Sequence, residues 1–352
     1  MDPKSMDPKS MNRKPMDRKS SKSTILKSVF LFLSLGNIVY IALGWPFFHF
    51  FTYGGNKAKR KPVKKRKKTN RERWFALRHT IVNHPTYKFE KEYEEGKAWC
   101  LAQPVQDWNI RSLDGIKLHA SYLPAEDPKR FLILCHGYRG TWYGSMGHMA
   151  EFLHKNHCSL LMIDQRCCGK SEGKYITFGA KEKGDIVLWL ERLQEINKDR
   201  LPIYLYGQSM GATSVLLASG LPLPAEVHGI IADCGFYSMK QQLRDIASGW
   251  FHLHDIESLL FRVDLFCRIF AGFSMKDTKT DMAMERNRRP VLFFHGARDT
   301  YVLPENTCRN YELCRAKKEM LIVPKARHLC CSYVDKKLYQ RKLMEFFEKY
   351  DQ

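Results

Sequence analysis

The 352-residue sequence predicts an α/β fold, a mostly parallel eight-stranded sheet flanked by helices, on three observations. Short apolar runs alternate with segments of helical period through the carboxyl-terminal two thirds, the rhythm of strands joined by right-handed helical crossovers. Asp114-Gly115 separates Trp108-Asn-Ile-Arg-Ser-Leu from Ile116-Lys-Leu-His-Ala-Ser-Tyr-Leu, a hairpin signal that adds two antiparallel strands ahead of the parallel ones. Finally, Pro202 to Val215 reads as an apolar strand, a tight turn at Gly207-Gln208-Ser209-Met210-Gly211 and an Ala/Val/Leu-rich helix.

In chain order, residues 1–23 open on a five-residue repeat, Met1-Asp-Pro-Lys-Ser and then Met6-Asp-Pro-Lys-Ser, with no apolar period. Pro, Lys and Ser in that proportion build no core, so a disordered basic tail is expected. From Ser28 to Asn56 no residue is charged, and Val29-Phe30-Leu31-Phe32-Leu33 and Ile38-Val39-Tyr40-Ile41-Ala42-Leu43 dominate the run. Its length exceeds the roughly 20 residues a helix needs to cross a bilayer. Trp45, Phe47, Phe48, Phe50, Phe51 and Tyr53 cluster at one end as an interfacial belt would, so 24–51 is expected to be a single-pass transmembrane anchor. No small-x-small cleavage site follows, which disfavours a removed signal peptide.

Residues 52–73 follow as a polybasic linker; Lys57 to Arg73 holds 11 Lys/Arg and one acid, a composition drawn to anionic lipid head groups. The formal charge of +21 belongs to this region: residues 1–73 carry 19 Lys/Arg against 4 Asp/Glu, residues 74–352 carry 39 against 33. A nucleic-acid role finds neither interleaved aromatics nor a recognisable domain in the basic run, so no nucleic-acid partner is expected. Six basic residues precede the apolar run from Arg13 to Lys27 and ten follow from Lys57 to Arg71, a bias toward a cytoplasmic carboxyl side. Eleven cysteines, an odd number without disulfide-scaffold spacing, also point to a reducing compartment.

Residues 74–352 form the main domain. A helix is expected within 74–95, then the hairpin strands, then a buried strand at Phe131 to Leu134 and a helix at Met146 to Lys155. A strand at Leu160 to Ile163 ends at Asp164, and Ile186, Val187, Leu190, Leu193 and Ile196 give Ala180 to Ile196 a helical period. Strands follow at Ile203 to Tyr206, Val227 to Ala232, Val291 to Phe294 and Met320 to Val323, with a closing helix from Val334 to Tyr350. Between β-type segments, 236–288 breaks the rhythm with an apolar stretch far longer than a crossover requires. A helical cap over Ser209 is expected there, with a packing insertion or a membrane-touching surface as alternatives.

The chemistry starts at the tight turn, where glycines two positions either side let strand and helix converge and leave the Ser209 side chain exposed. A serine hydroxyl needs an imidazole to take its proton and a carboxylate to orient that imidazole. Asp299 follows the strand at Val291, and His328 follows the strand at Met320, both at carboxyl ends where open parallel sheets carry sites. Asp233 also follows a strand and competes with Asp299; His136 competes with His328 but suits loop support better, and His295 reads as structural. The backbone amides of Met210 and Tyr138, the latter in His136-Gly137-Tyr138, are the candidate oxyanion donors. Arg139, Asp164 and Arg166 read as loop-bracing ion pairs. Zinc held by His328, Cys330 and Cys331 would lack a fourth ligand, so no metal or organic cofactor is expected.

His136-Gly137-Tyr138, Asp164-Gln165-Arg166 with Gly169-Lys170-Ser171, Gly207-x-Ser209-x-Gly211, Gly296-Ala297-Arg298-Asp299 and His328 stand in the order of the α/β-hydrolase superfamily, which the chain resembles over about residues 95–350. Within it the resemblance is to serine-aminopeptidase-like and prolyl-oligopeptidase-like single-domain serine hydrolases. Cys167-Cys168 departs from the Gly-His often found there. The resemblance implies the α/β-hydrolase fold and hydrolysis of a small-molecule ester or a short peptide. Carboxylic-ester cleavage through an acyl-enzyme is the leading expectation, ahead of peptidase-like amide cleavage and of acyl transfer to an acceptor other than water. An inactive membrane-associated scaffold is the reading from another class.

Overall fold

The computed structural model describes residues 40–54, 84–251 and 256–352. Eight strands, β1 (Gln106–Arg111), β2 (Lys117–Leu123), β3 (Arg130–Cys135), β4 (Cys158–Asp164), β5 (Ile203–Gln208), β6 (Val227–Asp233), β7 (Val291–Gly296) and β8 (Lys318–Val323), form one sheet in the order β1-β2-β4-β3-β5-β6-β7-β8. β2 runs antiparallel to both β1 and β4, and all other pairings are parallel. The hairpin closes with Gly115 at φ 81°, the left-handed turn that Asp114-Gly115 predicts.

Helices cover both faces, so the central strands are apolar on both sides and read as unbroken hydrophobic runs. On one face Leu132, Leu134, Tyr204 and Tyr206 pack beneath α2 (Glu90–Ala102), α3 (Gly147–Lys155) and the carboxyl-terminal helix; on the other, Phe131, Ile133, Cys135 and Leu205 pack beneath α4 (Glu182–Gln194) and α5 (Met210–Ala218). α2 and α3 approach so closely at Gly96 that a Cβ there would lie 2.5 Å from the His148 amide nitrogen. Of the helix expected within 74–95, residues 74–83 lie outside the described ones; a helix is found at Glu90–Ala102, where Gly96 and Cys100 supply the buried face.

Between β6 and β7 the chain forms α6 (Met239–Phe251), α7 (Glu257–Phe266), a π turn at Cys267–Ala271 and α8 (Asp281–Arg286). α9 (Pro304–Leu313), unforeseen from sequence, joins β7 to β8, and α10 (Lys336–Tyr350) closes the fold.

The expected anchor needs correction at its carboxyl end. The chain turns at Leu43-Gly44, and Trp45–Thr52 form a separate eight-residue helix, α1, folded onto the domain. Phe48 is fully buried against Tyr175 and Phe266, with ring centroids 5.3 Å and 5.9 Å away, which removes about 2–3 kcal/mol worth of apolar surface from water. The Ile176 amide donates to the Thr52 carbonyl at 2.7 Å, and the Gly54 amide to that of Lys174 at 3.1 Å, stitching the end of α1 to the domain. Among the described residues no helix is long and apolar enough to cross a membrane. The amino-terminal part of the expected anchor, the repeat tail and all but the first residues of the polybasic linker lie outside the described residues.

Candidate active site

β5 delivers Ser209 to the start of α5 with φ 55° and ψ −118°, a strained conformation for a residue with a side chain. The turn demands glycine: a Cβ on Gly207 would sit 2.2 Å from the Gly211 carbonyl oxygen, and one on Gly211 would sit 2.0 Å from that of Cys135. The Ser209 amide donates to the Asp233 carbonyl at 2.8 Å, tying the turn to the end of β6.

His328, in the loop after β8, and Asp299, in the loop after β7, meet Ser209 at this edge. His328 Nε2 lies 2.9 Å from Ser209 Oγ, and His328 Nδ1 lies 2.7 Å from Asp299 Oδ2. With Nδ1–H donating to the carboxylate, Nε2 is left as acceptor for the serine proton. All three side chains are buried.

Asp299 is held from its other side as well. Its Oδ1 accepts the amides of Tyr301 at 2.8 Å and Val302 at 3.0 Å, and His295 Nε2 lies 3.3 Å from Oδ2. Burial alone would raise the Asp299 pKa, but the two imidazoles outweigh it and hold the carboxyl well below its ordinary range. Burial likewise pulls His295 down, and the Asp299 carboxylate more than reverses it, leaving a net rise. Read as structural from sequence, His295 is a second imidazole on this carboxylate, also bonded to Thr307 Oγ1 at 2.7 Å and to the Val302 carbonyl at 2.9 Å. Its place four residues before Asp299 is a signal only once the intervening loop is known to curl.

The competitors lie elsewhere. Asp233 sits beneath the turn, accepting from the Tyr339 hydroxyl at 3.1 Å, with its other oxygen unpartnered among the described residues. Burial pushes its pKa up to about 6, against the hydrogen bond from Tyr339. His136 is fully buried, its Nδ1 2.7 Å from the Gly137 carbonyl and its Nε2 accepting the Gln165 amide at 3.1 Å. Arg166 pairs with Asp185 and Asp114, and Asp164 with His119, as bracing pairs. Arg139 makes no such pair among the described residues. Its guanidinium donates instead to the carbonyls of Phe50 at 2.7 Å and Tyr53 at 3.0 Å.

The loop carrying Tyr138 passes beside the serine: a Cβ built on Gly137 would lie 4.0 Å from Ser209 Oγ. Among the described residues neither the Tyr138 nor the Met210 amide has a hydrogen-bond partner, and the Tyr138 hydroxyl donates to the Phe51 carbonyl at 2.7 Å. Above Ser209 opens a cavity of about 780 Å³ walled by α1 (Phe47, Phe50, Phe51), the Tyr138 loop, Ile246 of α6 and Tyr301. Among the described residues no Asp or Glu lines it. As for metals, the Cys234 thiol approaches Asp299 and His328 within 4.8 Å. Burial pushes that thiol far above its ordinary pKa, and both His328 nitrogens are already engaged, so ligation would dismantle the Ser-His-Asp contact.

Residues 126–264 match the family described as serine aminopeptidase, S33. The esterase Pf2001 of Pyrococcus furiosus superimposes with a TM-score of 0.57 at 21% identity, over 72% of this chain and 96% of that one. The fold is the α/β-hydrolase fold. Other chains similar to this α/β-hydrolase fold include the acylaminoacyl peptidase of Pyrococcus horikoshii, with a TM-score of 0.55 and 15% identity over 72% of this chain and 43% of that chain. By sequence the chain is similar to the uncharacterized protein YqkD of Bacillus subtilis strain 168, 27% identical across 68% of this chain and 78% of YqkD.

Proposed function

We propose that this chain is a serine hydrolase that cleaves carboxylic esters through an acyl-enzyme. The observation that carries the reading is the unbroken relay from Ser209 Oγ to His328 Nε2 at 2.9 Å and from His328 Nδ1 to Asp299 Oδ2 at 2.7 Å. Ser209 Oγ attacks the ester carbonyl as its proton passes to Nε2, and Asp299 steadies the imidazolium. The Tyr138 and Met210 amides receive the oxyanion, each worth about 3–4 kcal/mol of barrier if it points at the developing charge. Collapse expels the alcohol, which takes the proton from Nε2, and water repeats the sequence on the acyl group.

A second reading, amide hydrolysis, draws on the S33 family match and the likeness to an acylaminoacyl peptidase. An aminopeptidase must neutralise a substrate ammonium, and among the described residues the cavity wall offers no carboxylate as a partner for one. That favours esters or N-blocked amides over free amino termini. The test is a panel of p-nitrophenyl esters of graded acyl length beside aminoacyl and N-acyl-aminoacyl anilides. Ester turnover with no release from free aminoacyl anilides is expected; efficient release from the latter with inert esters would reverse the assignment.

A further inference from the structure

α1 is amphipathic in an unusual direction. Phe48 and Thr52 point into the domain, whereas Phe47 and Phe50, three apart on the helix, are 41% and 66% exposed, and Leu43 in the turn just before it is 59% exposed. The cap continues this face: the Trp45 ring meets that of Phe270 at 5.0 Å and that of Phe266 at 5.4 Å, and on the same cap segment Phe261 and Ile269 are 65% and 61% exposed. Scattered exposed apolar residues are ordinary, but a joined aromatic patch spanning two elements marks a docking surface. Phe47 and Phe50 belong both to this face and to the wall of the cavity above Ser209.

We infer that this face rests on an anionic lipid bilayer and that acyl substrate enters the cavity from the lipid, without crossing water. The inference rests on the ester-hydrolase reading for its substrate and on charge complementarity for its occupant. The run from Lys57 to Arg73, 11 Lys/Arg against one acid, begins five residues beyond Thr52, the last residue of α1. An apolar face flanked in sequence by such a cluster suits an interface whose interior is hydrocarbon and whose rim is anionic. The face is also coupled to the site, because the Tyr138 hydroxyl and the Arg139 guanidinium bond the carbonyls of Phe51, Phe50 and Tyr53 at the end of α1.

The test uses the full chain and the triple variant Leu43→Ser, Phe261→Ser, Ile269→Ser, whose sites are exposed and outside the cavity wall. Vesicles of phosphatidylcholine, alone or with phosphatidylglycerol, carry brominated acyl chains and a long-chain fluorogenic ester. With the anionic vesicles, quenching that disappears in Trp45→Phe is expected, together with ester turnover that falls at least about tenfold in the triple variant. Hydrolysis of a short soluble ester should be unchanged. Absence of Trp45 quenching, or a triple variant equal to the parent on vesicles, would overturn the inference. So would a lipid-free dimer in sedimentation velocity that the triple variant abolishes, since a second copy would then cover the face. Quenching that persists while no ester is turned over would instead sink the hydrolase reading and leave the docking intact.

Discussion

Asp299 is the residue on which the local electrostatics converge, with two amides on one oxygen and two imidazoles on the other. Asp299→Asn keeps the side-chain shape but, with its oxygen held by the Tyr301 and Val302 amides, turns an NH2 donor toward His328 Nδ1 and selects the wrong tautomer, so kcat should drop about 10³–10⁴-fold with the fold retained. Ester kinetics beside circular dichroism would check it, and a drop of less than about tenfold would move the orienting role elsewhere. Asp233 makes a separate prediction. Its folded pKa, about 6, lies above the ordinary carboxylate value, so the native state holds a proton that the unfolded chain releases. The resulting stabilisation, about 2–3 kcal/mol, is full below about pH 4 and lost as pH rises through 6. Urea midpoints at pH 4.5 and 7 should therefore shift less in Asp233→Asn than in the parent. Ser209, Asp299 and His328 were legible because each follows a strand in a recognisable order. His295 and the Tyr301 amide were not, because their contacts to Asp299 depend on how one loop curls.

At the scale of elements, α1 joins the leader to the site. Arg139→Ala removes two bonds to its last turn, so KM for long-chain esters should rise about tenfold while short-ester kcat changes little. Equal effects on both substrates would separate α1 from acyl binding. Gly96→Ala should cost about 1–3 kcal/mol in urea unfolding, because the added methyl meets the His148 backbone and neither helix can yield without parting from the sheet. The strands were readable to within two or three residues from their apolar runs. α1 was misjudged because a stretch without charge looks alike whether its apolar face meets lipid or the domain; only the contacts of Phe48 separate the two. α9 hides for another reason: its buried residues are Asn306, Thr307 and Asn310, which leave no apolar period, although Pro304 in its first turn is a start signal.

Across the whole molecule, one sheet turns separate stretches of chain into one rim. The carboxyl ends of β5, β7 and β8 lie within four consecutive strand positions, and this places residues 119 apart in sequence at hydrogen-bonding distance. The charge is divided just as sharply, with the excess of basic residues ahead of residue 74 and a near-balanced remainder. Salt-dependent retention on polyanions should accordingly fall sharply when the 11 Lys/Arg of 57–73 are changed to Gln, as read by a lower salt concentration for heparin elution, while soluble-ester turnover persists. An activated Ser209 is open to direct check by intact-protein mass spectrometry after treatment with a fluorophosphonate. A single adduct on Ser209 is expected, absent from Ser209→Ala and strongly slowed in His328→Ala. Folded protein that takes up no label, or that labels equally without Ser209, would contradict it.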